Sequence, residues 1–182
     1  KLSKEQIESQ KKVETILINL PNIANDKVPI GKDDKSNKFL HNKGTIRKFD
    51  FAVKSHIEIG EKNDQIDFKN SSKLSGSRFV ILNSNFALLE RALINFMLDI
   101  HTSKFLYKEI SPPLLVNENV MFGTGQLPKF EEDQFEIKLT REEERKFLIP
   151  TAEVVLTNIV RDSIIEAKLL PLRYVAATPC FR

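Results

Sequence analysis

The sequence predicts a mixed helix-and-strand (α+β) protein, and three observations carry that prediction. Apolar residues recur at three- and four-residue steps across residues 85–101 (Phe86, Leu88, Leu89, Ala92, Leu93, Phe96, Met97, Ile100), which is the period of a helix with a broad apolar face. Short apolar runs at residues 79–82, 147–149 and 172–177 have strand length and end in Asn, Pro and Thr-Pro. Residues 1–20 set Ile7, Val13, Ile16, Leu17 and Leu20 among Glu, Gln and Lys before Pro21-Asn22, a narrow-striped amphipathic helix.

The other elements follow in chain order. Residues 21–44 are rich in Asn, Asp, Lys, Gly and Pro and read as a surface connection. Phe49, Phe51 and Val53 alternate with charged or small residues and suggest a short strand, after which Ser55 opens a polar helical turn. Ser75-Gly76-Ser77-Arg78 is a turn feeding the run 79–82, read as a buried strand. Each fully buried Leu, Phe or Met contributes about 1.5–3 kcal/mol, so the 85–101 face is expected to be the largest packing element. Residues 105–113 then run into an extended Ser111-Pro112-Pro113, and residues 117–121 start another helix. Between Glu131 and Lys146, charges crowd around Phe135, Ile137 and Leu139, reading as a solvated excursion with a short strand.

Composition narrows the function classes. The 182 residues suffice for one domain with a core and little more. The net charge of +3 divides unevenly, with 15 Lys/Arg against 11 Asp/Glu through Lys73 and 13 against 14 from Leu74. That excess is too mild to argue nucleic-acid binding by itself. Cys180 is the one cysteine, and His41, His56 and His101 lie far apart, so neither an internal disulfide nor a zinc framework is expected. No apolar run nears the ~18 residues of a membrane span, and no signal-peptide block follows the lysine-rich start. A cytoplasmic location without membrane partners is expected. The first residue is Lys1 rather than Met, and Arg182 falls inside an apparent structural unit, so the sequence reads as a piece of a longer protein.

Two segments carry the candidate chemistry. In Ile149-Pro150-Thr151-Ala152-Glu153-Val154 a strand ends at a proline and Thr151 is placed to cap a helix bearing Val154, Val155, Ile159 and Val160. The same residues allow a second reading, in which the Thr151 hydroxyl and Glu153 carboxylate hold a ligand's hydroxyl or ammonium at an open strand-to-helix junction. In Thr178-Pro179-Cys180-Phe181-Arg182 an arginine follows a strand, and by residue type alone it is a solvent-exposed cation. The glycine-rich residues 122–130, Phe-Gly-Thr-Gly-Gln-Leu-Pro-Lys-Phe, do not have the spacing of a phosphate-binding Walker loop and mark a turn.

Taken together, Ile-Pro-Thr-Ala-Glu-Val, Thr-Pro-Cys-Phe-Arg, the string at 122–130 and Gly76-Ser77-Arg78-Phe79 closely resemble bacterial seryl-tRNA synthetases, which are class II aminoacyl-tRNA synthetases. The resemblance covers residues 20–182. It implies a class II antiparallel sheet with flanking helices, incomplete here, in residues 23–182. Residues 1–22 would be the end of an N-terminal tRNA-binding helical arm. It places motif 1 at about 85–113, with Pro113 at the dimer interface, and the start of motif 2 at about 172–182. It assigns L-serine to Thr151, Ala152 and Glu153, and gives Arg182 a catalytic and ATP-binding role.

ATP and Mg2+, L-serine, tRNA(Ser), tRNA(Sec) as a further acceptor, and a homodimer are implied in the same way, with no protein-held metal. Leu106 stands where the family commonly has glycine, and Lys35 where it more often has an acidic residue. The chain alone is expected to be inactive and to expose apolar edges. Two other readings stay open: a related enzyme that loads a small amino acid onto a carrier protein, and a non-catalytic dimerisation module.

Overall fold

The computed structural model describes residues 2–138 and 144–182 and divides into two compact units, Lys1–Val53 and Lys54–Arg182. The expectation for Leu139 lies outside the described residues. In the first unit, helix α1 spans Leu2–Asn19, and its stripe of Ile7, Val13, Ile16 and Leu17 is exposed, as is Leu20 just beyond. The rest of this unit is irregular apart from one 3-10 turn, Asp34–Ser36, which Asp33 caps by accepting from the Lys35 N–H at 3.1 Å. The strand expected at 49–53 does not form. Among the described residues this unit offers no strand for it to pair with, so Phe49 and Phe51 instead meet edge to face at 5.2 Å, with Arg47 over Phe49.

The second unit begins with α2 (His56–Lys62), whose Ser55 and Glu58 form a full capping box. Strand β1 (Ile66–Asp67) pairs antiparallel with β2 (Ile81–Leu82). Between them lies α3 (Phe68–Ser75), capped by Asp67 on the Asn70 N–H at 2.8 Å. Only Ile81 and Leu82 of the run 79–82 are in a strand and they are half-buried, while Phe79 and Val80 are exposed, because the two-residue partner β1 leaves nothing to cover them.

Helix α4 (Ser84–Ser103) is the longest element, as its period predicts, yet none of its residues is buried. Leu88, Leu89, Leu93, Phe96 and Met97 are all about half exposed. The broad face is therefore not the main packing element of this chain; it awaits a surface that the described residues do not supply. After α4 the chain reverses at Leu106, which has φ +56°. It then enters β3 (Lys108–Glu109), parallel to β7 (Tyr174–Val175).

The buried core sits elsewhere. It comprises Val116, Met121, Leu127, Phe147, Ile149 and Val154. Val116 and Phe147 come from a three-stranded antiparallel sheet ordered β4 (Leu115–Asn117), β6 (Lys146–Leu148), β5 (Glu136–Ile137), Ile149 directly follows β6, and Leu127 lies in the turn at 122–130. Helices α5 (Glu118–Gly123) and α6 (Ala152–Asn158) complete it. Phe147 and Met121 are wholly inaccessible, and at about 1.5–3 kcal/mol per buried side chain this cluster fixes the strand that runs into the Thr-Ala-Glu triplet.

Candidate active site

Ile149 joins the two segments singled out by the sequence. Fully buried at the end of β6, it donates its N–H to the Leu114 carbonyl at 2.9 Å and accepts from the Phe181 N–H at 2.9 Å. Thr151 lies two residues beyond this joint on one side and Arg182 one residue beyond it on the other. Phe181 is held further by an edge-on contact with Phe135 at 6.4 Å. The Phe181–Ile149 backbone bond thus ties the segment that ends in Arg182 to the strand end that leads into the triplet.

Pro150 ends the strand, and Thr151 is extended (φ −159°, ψ 148°) as the N-cap of α6, its hydroxyl accepting from the Glu153 N–H at 3.3 Å. The capping reading of Thr151 is therefore correct, and the hydroxyl keeps capacity for a second partner. Glu153 is exposed in the first turn of α6, where a carboxylate is favoured by the helix dipole.

Thr151 and Ala152 line an open cleft of about 770 Å³ between α4, represented by Glu90, Met97 and His101, and the segment carrying Thr178 and Cys180. Glu153 lines a neighbouring recess of about 520 Å³ with Thr157 and Tyr174. Val175 and Ala176 border both. Arg182 is exposed and borders neither, and Pro113 is exposed beyond β3. Among the described residues no three His, Cys, Asp or Glu side chains converge on a metal position.

The string at 122–130 is structural, as a turn should be. Gly125 takes φ +71°, the Gln126 N–H returns to the Met121 carbonyl at 3.0 Å, and Leu127 is buried in the core.

The charges at 131–138 are exposed, as a solvated face should be, and some of them also meet in surface ion pairs. Arg145 forms a bidentate pair with Glu136 (3.0 and 2.9 Å), donates to Glu118 at 2.7 Å and to Glu131, and lies over the Phe147 ring at 4.9 Å. The side-chain hydrogen bond from Arg145 holds the Glu136 carboxyl below its ordinary value, and the Glu136 and Glu131 carboxylates make the guanidinium still harder to deprotonate. A run of mixed charges gives no sign of which members will meet, since Glu118 is 27 residues from Arg145.

Helix α3 and the bonds of the Asn158 side chain are not expected from the sequence. The Asp67-x-x-Asn70 spacing was the available signal for the first.

No protein-family model matches the chain. It is 55% identical over 181 residues to a serine–tRNA ligase of Pelagibacter ubique, covering 100% of this chain and 43% of that protein. It is 49% identical over 173 residues to the corresponding ligase of Parvibaculum lavamentivorans, covering 93% and 40%. Among solved structures, a seryl-tRNA synthetase from Pyrococcus horikoshii complexed with ATP superposes with a TM-score of 0.83 at 32% identity, covering 100% of this chain and 44% of that one. The chain thus spans about two-fifths of the length of the curated relatives it matches. Along its whole sequence and in its mixed helix-and-sheet fold, this chain is a homologue of the seryl-tRNA synthetases, matching part of each.

Proposed function

We propose that the protein to which this chain belongs is a serine–tRNA ligase, activating L-serine with ATP to seryl-adenylate and passing the seryl group to tRNA(Ser), with tRNA(Sec) as a further acceptor. The observation that carries this reading is the Ile149–Phe181 hydrogen bond, which seats the Thr-Ala-Glu triplet and Arg182 on adjoining segments. Activation joins an anionic carboxylate to a phosphate. The serine carboxylate attacks the α-phosphorus, the bond to the β-phosphate oxygen breaks, and pyrophosphate leaves. A planar guanidinium next to the α-phosphate orients and stabilises the oxygens that gain charge, which is the role given to Arg182. The Glu153 carboxylate pairs with the serine ammonium, Thr151 offers its hydroxyl, and Ala152 leaves room at the pocket wall.

The half-exposed apolar face of α4 supports a homodimer through residues 85–113, with Pro113 in the interface. The exposed stripe of α1 supports residues 1–22 as the end of a tRNA-binding arm preceding a catalytic part in residues 23–182. No helix among the described residues is long and apolar enough to cross a membrane, in keeping with work in the cytoplasm. The named relatives favour neither the carrier-loading enzyme nor the non-catalytic module.

Serine-dependent ATP–pyrophosphate exchange by the full-length gene product tests the reading, with alanine, glycine and threonine as competitors. Exchange with serine alone, followed by charging of tRNA, is the expected result. Exchange with alanine or glycine in its place would support the carrier-loading enzyme, and no exchange with any amino acid would support the non-catalytic module.

A further inference from the structure

Helix α6, which presents the triplet, has only seven residues, too few to hold itself together without tertiary contacts. Val154 anchors its middle in the core. Asn158 anchors its end: the side-chain Nδ2 donates to the Val154 carbonyl at 2.7 Å and across to the Val120 carbonyl of α5 at 3.1 Å. Its Oδ1 accepts from Arg161 at 3.0 Å, and the same guanidinium nitrogen donates to the Asn119 carbonyl at 2.7 Å. The helices meet here because α5 ends in Gly123, where a Cβ would stand 2.8 Å from Asn158 Oδ1. Apolar packing of Val154 and Val155 against the core is non-directional, whereas directed bonds from one amide to both helices fix the register of the short helix.

We propose that Asn158, braced by Arg161, is a positioning residue for amino-acid recognition, holding α6 in the register that presents Thr151 and Glu153 to serine. The inference rests on the serine-binding reading of that triplet.

The test compares Asn158→Ala, Asn158→Asp and Arg161→Ala with wild type in the full-length protein, measuring KM for serine and for ATP by pyrophosphate exchange. Loss of the amide donors is expected to raise the serine KM about tenfold, the worth of one to two hydrogen bonds, with the ATP KM changed less than about twofold. Asn158→Asp keeps the shape but puts a carboxylate against two carbonyls, so it should be at least as impaired as the alanine variant. Arg161→Ala, at an exposed position, should raise the serine KM about two- to threefold and decides the matter if neither Asn158 variant folds. Folded variants with an unchanged serine KM, or with both KM values raised alike, overturn the inference while the function stands. A wild-type protein with no serine-dependent exchange removes the function and the inference together.

Discussion

Leu106 holds a backbone conformation that its side chain opposes. With φ at +56° it lies in the left-handed region, which costs an L-residue about 1–2 kcal/mol. The side chain recovers little of this, being 78% exposed. Glycine would remove the steric term but give back about 0.5–1 kcal/mol through its freer unfolded chain. Leu106→Gly should therefore stabilise the turn between α4 and β3 by about 0.5–1 kcal/mol.

Native-state hydrogen exchange reads that gain locally. The Tyr107 N–H closes the turn on the His101 carbonyl at 3.0 Å and the Lys108 N–H pairs with the Arg173 carbonyl at 2.9 Å. Both amides should exchange about two- to fivefold more slowly in the glycine variant, and faster in Leu106→Val, whose β-branch tolerates positive φ least. Equal or faster exchange in Leu106→Gly would refute the argument that the residue is strained. The turn feeds the strand pair bordering the cleft, so the outcome also bears on how firmly that wall is held.

Three other outcomes are expected. Glu153→Ala should raise the serine KM by at least about tenfold, the worth of a lost charged partner, with the ATP KM little changed; unaltered serine kinetics would remove Glu153 from recognition. Arg182→Ala should lower kcat by roughly a hundred- to thousandfold, equivalent to about 2.7–4 kcal/mol, as does loss of one preorganised donor to a transition state, and pre-steady-state adenylate formation would show it. The Glu136 carboxyl is held below its ordinary value of 4.5 by the Arg145 hydrogen bonds. Its folded form therefore binds a proton less readily than its unfolded form, so its contribution is present above that value and lost as pH falls through the lower folded one. Arg145→Met should be less stable than wild type near neutrality, and the gap should close as the pH drops below the carboxylate range; a gap independent of pH in urea titrations would contradict this.

The sequence determined the elements whose signals are local. The 3.6-residue period wrote α4, the Ser55 and Thr151 caps started α2 and α6, and Pro150 stopped β6, because each of these depends on neighbours within four positions along the chain. It also carried the family motifs, which is why the seryl-tRNA synthetase resemblance is legible in the sequence. Burial was not legible: the apolar period of α4 gives one face to be covered but not what covers it, and in this chain the core formed instead around Phe147 and Met121. Strand formation at 49–53 failed for the same reason, since alternation supplies half of a pairing and the partner is a tertiary fact. Only the tertiary structure decided that Arg145 gathers three glutamates, that Asn158 spans α5 and α6, and that Ile149 binds Phe181. These contacts link residues 9 to 38 positions apart, separations over which chain sequence leaves the choice of partner open and three-dimensional packing makes it.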